Sequence, residues 1–366
     1  MTDTNKRFAA LRDRMKANGV DLVAIGPSSH MQWLIGFHTH ADERPCLLLV
    51  TAETETFLMP ALNAEGTREK SAIGFHVWSD DEGPDAAMAA ALAELGGDKV
   101  RSVVLDETMR ADFALLLLNA LPEGVKTGFT DQTIGLLRTM KDEAEVEALK
   151  INAAIDDRAV ELAFRSIRPG MSESELATII RTQFQSEGAE PAFWIVGSGP
   201  NGAFPHHSVS ERRIEEGDAI VIDIGARKDG YPSDITRMAF LGTPGEDYLK
   251  VHAIVEKAVQ AALAAARPGA RAMDVDAAAR GVITEAGYGD YFVHRTGHGL
   301  GIDGHEKPYI TATNETVLLE GNVFSIEPGI YLPGKFGVRL EEIVVLRRDG
   351  PEILSKLPRD LHVIPV

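Results

Sequence analysis

Glu216-Gly217-Asp218-Ala219-Ile220-Val221-Ile222-Asp223-Ile224-Gly225 returns in altered form as Glu320-Gly321-Asn322-Val323-Phe324-Ser325-Ile326-Glu327-Pro328-Gly329. The shift is 104 positions at Glu216-Gly217, Ile222-Asp223 and Gly225. Upstream, Arg168-Pro169-Gly170, Gly188, Phe193 and His206 recur as Arg267-Pro268-Gly269, Gly287, Phe292 and His305, each shifted by 99. A constant period over so many positions reports an internal duplication. Two copies make a doubled αβ unit about a pseudo-two-fold axis, not a solenoid. Each copy reads as helix, helix, antiparallel hairpin. Acidic residues fall at matching points of both copies and should therefore meet near the axis.

Both hairpins carry an acidic pair. The first runs from Asp218 through Gly225, turns around Lys228-Asp229-Gly230 and returns from Tyr231 to Phe240. A turn centred between Lys228 and Asp229 sets Asp223 opposite Asp234. One centred on Asp229-Gly230 sets the two on the adjacent diagonal. Side chains alternate with period two, so either register puts both carboxylates on one face. In the second hairpin, a turn centred on Gly334 sets Glu327 opposite Glu341 and sends Glu342 to the other face. Like charges across a strand pair repel. Taken alone, Asp223 and Asp234 read equally as solvated aspartates near a turn; the duplicated arrangement argues instead for a compensating cation.

His298 lies in Thr296-Gly297-His298-Gly299-Leu300-Gly301, where glycines free the imidazole and let backbone approach a ligand. No lysine or helix start follows to form a phosphate cradle. Its counterpart at the shift of 99 is Gly199, so one copy alone supplies a histidine. Asp223, Asp234, His298, Glu327 and Glu341, without a thiolate, suit two divalent cations, Mn²⁺ foremost, with Zn²⁺ or Co²⁺ as alternatives. Such a pair activates water for hydrolysis. His206 and His305 occupy repeat-related positions from which they can donate to an oxyanion or orient a substrate; the plain alternative is two surface histidines. His207 and His294 read equally as core or as supports of the ligands.

Residues 1–135 alternate helical and strand-like segments and read as a small α/β domain. Helices are expected near 5–18, 84–95 and 109–120, with strands at Leu22–Ile25, Cys46–Val50, Thr54–Met59 and Val103–Leu105. The boundary falls at Leu136-Leu137-Arg138, and residues 136–366 form the second domain, beginning with a long helix to about Ile167. The fold class is thus α/β (α+β). The single cysteine, Cys46, rules out an internal disulfide and reads as a buried thiol. A formal charge of −18 argues against a nucleic-acid partner. No apolar stretch reaches the roughly 20 residues needed to span a bilayer, and Met1–Arg7 does not open a signal peptide, so no membrane and a cytoplasmic location are expected.

On Ile222-Asp223-Ile224-Gly225, Gly230–Arg237, Thr296-Gly297-His298-Gly299, His305-Glu306, Ser325–Tyr331 and Gly337–Glu341, the chain resembles the metallopeptidase family of methionine aminopeptidase, aminopeptidase P and the Xaa-Pro dipeptidases (prolidases). The resemblance covers roughly residues 145–366. Earlier residues resemble the creatinase/prolidase N-terminal domain around Trp33–Phe37 and Glu43-Arg44-Pro45. It implies the "pita-bread" fold, with Asp223 chelating one metal, Asp234 and Glu341 bridging the pair, and His298 and Glu327 completing the other shell. It further implies a bridging hydroxide as nucleophile, Glu327 as general base and then acid, and His206 and His305 steadying the substrate carbonyl. Arg339 would support the ligands or meet a substrate carboxylate. By the same resemblance the protein is a homodimer whose partner lends a loop to the site; His38 and His40 are the candidates for it, and an exposed polar loop is the equal alternative. The activity implied first is hydrolysis of Xaa-Pro dipeptides. An Xaa-Pro aminopeptidase on longer peptides, a creatinase-like or compatible-solute C–N hydrolase and a non-catalytic binding module follow in that order.

Overall fold

Apolar segments of the first part of the chain pair into one mixed sheet, in the order Gly74–Trp78, Glu55–Pro60, Leu47–Val50, Leu22–Ile25, Ser102–Leu105, Lys126–Phe129. The computed structural model describes residues 4–366. They divide into two compact units, Met1–Arg138 and Thr139–Val366. In the first unit, Leu22–Ile25 pairs antiparallel with Leu47–Val50 and parallel with Ser102–Leu105. Helices Asp85–Glu94 and Ala111–Ala120 cover one face, setting Met88, Leu92, Phe113 and Leu117 against Leu22, Leu47 and Leu58. Both edge strands, Gly74–Trp78 and Lys126–Phe129, go beyond the sequence expectation, as do helices Ser29–Ile35 and Ala61–Arg68. The edge strands are largely exposed, so neither carries the apolar alternation that marks a strand. Cys46 is buried and free, and burial pushes its thiol up to about 12, which keeps it protonated and inert.

In the second unit, Asp142 starts the helix Glu143–Ser166. Its carboxylate accepts from the Glu145 amide while the Glu145 side chain accepts from the Asp142 amide, a reciprocal capping box. Ser172 and Glu175 repeat the device at the helix Glu173–Ser186. The second copy supplies the helices Glu246–Ala265 and Ala272–Glu285. Each copy contains more than helix, helix and hairpin: an added strand, Glu190–Ser198, flanks the first hairpin, and Gly297–Gly299 with Glu306–Ile310 flanks the second.

The duplication extends to single hydrogen bonds. Ser172 bridges Arg213, and Arg271 bridges Val317, so the change of shift from 99 to 104 is absorbed between these partners. The Gly170 amide donates to Ile214, and the Gly269 amide to Leu318, both at 2.8 Å. Repeated glycines occupy the left-handed region, with φ of 79° and 92° at Gly170 and Gly269, and 94° and 86° at Gly217 and Gly321. A side chain there clashes with its own backbone, which is why both copies retain glycine.

Strand Ala219–Lys228 is covered on both faces. Ile220, Ile222 and Ile224 pack against the helices of the first copy, while Ala219 and Val221 face those of the second. Asp223 has the parity of Ala219 and Val221 and so sits in a layer with helices on both sides, where an uncompensated charge costs several kcal/mol. The second sheet orders Glu306–Ile310, Gly297–Gly299, Val323–Ile326, Glu342–Arg347 and Gly350–Ile353, and a ribbon of Gly329–Leu332 with Phe336–Arg339 extends its hairpin.

A methyl group added at Gly269 meets nothing within 4 Å, so the cost of Gly269→Ala is confined to the backbone. We expect it to lower unfolding free energy by about 1–2 kcal/mol in urea titrations. An unchanged midpoint would mean that the left-handed geometry is not needed there.

Candidate metal centre

Hairpin register places the acids. Asp223 pairs with Thr236, and Arg227 with Pro232, so the first turn is Asp229-Gly230. Both turn residues have positive φ, 52° and 85°, the two-residue form whose twist matches that of its strands. Asp234 therefore lies on the diagonal from Asp223, the second of the two expected registers. In the other hairpin, Leu332 pairs with Phe336 and Ile326 with Glu342, which sets Glu327 across from Glu341 where the ladder opens. Glu342 turns to the opposite face, where Arg237 and Arg359 hold its carboxylate at 2.9 and 2.8 Å.

His298 comes from strand Gly297–Gly299. A Cβ on Gly297 would stand 1.8 Å from the Ser325 carbonyl, and one on Gly299 2.3 Å from that of Lys307. These glycines admit the neighbouring strands, a different reason from the expected approach of backbone to ligand. The resulting close packing buries His298. Its Nδ1 lies 3.0 Å from the Gly299 carbonyl. With the ring proton donated there, Nε2 is left bare, 3.3 Å from Glu327 and 3.6 Å from Asp234. Burial, helped by His305, pushes its pKa down to about 3, so the ring is neutral and its lone pair available.

Three trios of donor atoms each lie within 4.8 Å of one another: Asp223, Asp234 and Glu341; His298, Glu327 and Glu341; and Asp234, His298 and His305. Neighbouring side chains fix the carboxylates. The Thr236 hydroxyl donates to Glu341 at 2.8 Å, and the Ser325 hydroxyl donates to Glu327 at 3.2 Å while accepting from the His298 amide at 2.9 Å. Arg339 donates to Asp223 at 2.5 Å, to the Tyr331 hydroxyl at 2.6 Å and to Thr236 at 3.1 Å. Its guanidinium is buried and committed behind Asp223. Even so, Asp223 Oδ1 and Glu341 Oε1 are buried without a hydrogen-bond partner. Burial, followed by repulsion from neighbouring carboxylates, holds Asp234 and Glu341 well above the usual carboxylate range, and burial foremost lifts Glu327 to about 7. Orphaned oxygens and proton-retaining acids beside a bare imidazole fit divalent cations bound by oxygen and nitrogen.

A cavity of about 660 Å³ opens over these groups, walled also by Phe193, Ile195, Pro205, His206, His294, Arg295 and His305. The His305 ring lies 3.9 Å from that of His298, with Arg295 Nη2 3.4 Å from its Nδ1. His294 donates to, or accepts from, the Tyr331 hydroxyl at 2.8 Å. His207 instead contacts the buried Glu173 at 2.8 Å, in a cluster with Ser198, Asn201 and Ser210. His38 and His40 are exposed on a loop of the first unit. A fourth trio, His30, Asp106 and Glu107, is also in that unit, but Asp106 is occupied by Gly26, Ser28 and Thr108. Thr236, Ser325 and Tyr331 escaped sequence reasoning, although Thr236 stands two residues after Asp234 and Ser325 two before Glu327. Period-two parity alone puts each on the ligand face.

Glu327 titrates near 7 in the fold against 4.5 ordinarily, so between these values the metal-free fold keeps a proton that the unfolded chain has lost. Its contribution to stability is complete below the lower value and lost as pH rises through the upper one. Chelator-stripped protein should therefore melt at lower temperature as pH climbs through that window, and Mn²⁺ should restore more at the upper end while releasing protons. A calorimetric Mn²⁺ titration without proton release would remove these carboxylates as ligands.

The pattern "Metallopeptidase family M24" matches residues 147–348, and "Creatinase/Prolidase N-terminal domain" matches residues 7–140. The chain is similar to a probable dipeptidase PepE of Mycobacterium bovis, 40% identical over 355 residues, covering 95% of this chain and 93% of that one. It is also similar to an Xaa-Pro dipeptidase of Pyrococcus horikoshii, 34% identical over 361 residues and covering 98% and 99% of the two chains. The crystal structure of recombinant prolidase from Thermococcus sibiricus matches it with a TM-score of 0.91 at 37% identity, covering 100% of both chains. The chain belongs to metallopeptidase family M24, with a creatinase/prolidase N-terminal domain and the pita-bread fold.

Proposed function

We propose that this metallopeptidase hydrolyses Xaa-Pro dipeptides, using two divalent cations, Mn²⁺ foremost, held by Asp223, Asp234, His298, Glu327 and Glu341. The observation that carries the proposal is the convergence of these five donors, two buried carboxylate oxygens among them unpartnered, beneath a cavity of about 660 Å³. Glu341 belongs both to the trio with Asp223 and Asp234 and to the trio with His298 and Glu327, so these five residues would hold two neighbouring cations. When bound, the cations polarise the scissile carbonyl and acidify a water.

The chain's own groups do the rest. Glu327, on the cavity floor beside His298, accepts the proton of the attacking water and returns it to the leaving nitrogen. With Nδ1 of His305 accepting from Arg295, its proton resides on Nε2 and is available to the carbonyl oxygen as charge develops there. His206 supports the same oxygen from the rim. Phe193, Ile195 and Pro205 offer apolar wall to a pyrrolidine ring. Arg339 holds Asp223 in place. The proposal includes a cytoplasmic homodimer, checked by sedimentation, in which the loop bearing His38 and His40 serves the partner.

Metal-stripped protein reloaded with Mn²⁺ should release proline rapidly from Ala-Pro and leave Ala-Pro-Ala intact. Cleavage of the tripeptide would make the protein an aminopeptidase, and inactivity on both would point to a non-peptide amide. Asp234→Ala should lower kcat/KM by at least about a hundredfold, beyond what loss of a supporting group gives; normal turnover would contradict the ligand assignment.

A further inference from the structure

His206 stands on the cavity rim with nothing of its own to hold it. The residue is exposed and, among the described residues, its ring takes part in no hydrogen bond or ion pair. Its place must therefore come from the backbone. That backbone turns sharply, because the His207 amide donates to the Phe204 carbonyl at 3.1 Å and closes a four-residue turn with Pro205 and His206 at its corners. Proline presets the first corner. The turn alone does not fix how His206 sits over the cavity.

Glu173, the first residue of helix Glu173–Ser186, supplies the anchor. It is fully buried, and its carboxylate collects donors from both sides of the turn. Upstream, Oε1 accepts from the Ser198 amide and hydroxyl, both at 2.8 Å, and from Asn201 Nδ2 at 3.0 Å. Downstream, Oε2 accepts from the Ser210 amide at 3.1 Å and hydroxyl at 2.6 Å. His207, which closes the turn, brings its Nε2 to the same Oε2 at 2.8 Å. Burial works to raise the pKa of Glu173, but the hydrogen bonds from Ser210, Ser198, His207 and Asn201 outweigh it and hold the carboxyl below its usual range. The group is therefore ionised, and His207 Nε2 is the donor. These donors use up the roughly four lone-pair directions of a carboxylate, so no acceptor is left over for the loop to exchange into.

We propose that Glu173 and His207 are positioning residues, their hydrogen bond locking the turn so that His206 meets the substrate carbonyl oxygen as charge develops there. This rests on the hydrolytic reading above, in which His206 supports that oxygen. The lock is made one residue from His206, and a misplacement of about 1 Å costs up to about a hundredfold in rate. The loss falls on the transition state, where the oxygen is charged, more than on substrate binding, so kcat should move and KM should not. Neither Glu173 nor His207 belongs to a donor trio, which makes metal binding an independent control.

The test measures kcat and KM for Ala-Pro with Mn²⁺-loaded wild type, His207→Leu, His207→Gln and Glu173→Gln, with Mn²⁺ affinity followed by calorimetry. His207→Leu removes one donor from a partly exposed position and should fold even where Glu173→Gln does not. It should lower kcat about tenfold, leaving KM and Mn²⁺ affinity near wild type. His207→Gln keeps an N–H donor and should recover most of the loss. The same His207→Leu change should cost nothing further in a His206→Ala background, which itself should keep about a hundredth of the wild-type rate. Wild-type kcat in His207→Leu, equal damage in His207→Gln, or a full cost in the His206→Ala background would each overturn the positioning assignment alone. Wild type that leaves Ala-Pro intact would overturn the dipeptidase reading and this proposal with it.

Discussion

Burying carboxylates against one another is the constraint on which the catalytic unit depends. Three oxygens within 4.8 Å of each other, from Asp223, Asp234 and Glu341, would repel by about 3–4 kcal/mol per fully charged pair at an effective dielectric of 20. Summed over the trio this approaches the whole stability of an ordinary domain, about 5–15 kcal/mol. The fold cannot hold these groups ionised without help. Arg339 answers part of the demand at Asp223, and protons answer part at Asp234, Glu341 and Glu327. With Arg339 counted, four ionised carboxylates carry a net charge of −3, so two divalent cations would leave a small positive excess where an oxyanion develops. Stability and chemistry thus draw on the same electrostatic imbalance.

Much of this was legible in the sequence because it is written in short-range rules. The duplication announces itself through glycines, and the structure shows why: Gly170, Gly269, Gly217 and Gly321 occupy backbone conformations that other residues avoid. Parity along each hairpin put the four acids on common faces and sent Glu342 away, toward Arg237 and Arg359. What parity left open, the register of the first hairpin, depends on a turn for which both placements were sterically reasonable; Asp229 at φ 52° decides it.

The remainder depends on contacts between residues distant in sequence. Nothing local to Arg339 says that Asp223, 116 positions earlier, will occupy its guanidinium. Nothing around Arg295 says that Asp276 and Arg280 will fix the backbone on both sides of it. The edge strands of the first unit were illegible for a different reason. They bury little, and a strand without a buried face carries no period for a reader to detect.

The asymmetry of the site has a steric origin in the duplication itself. Gly299 pairs with Phe324, and Ser198 pairs with Ile220, the residue 104 positions before Phe324. The strand register therefore sets Gly197 in the place of His298, and not the Gly199 that the shift of 99 selects. A Cβ at Gly197 would stand 3.0 Å from Gly202 Cα and 3.1 Å from the Gly202 nitrogen, closer than side chains pack. The turn Gly199–Ala203 thus closes over the position from which the other copy projects its imidazole. A side chain there requires that turn to move, and so the duplicated scaffold yields four carboxylates and a single imidazole.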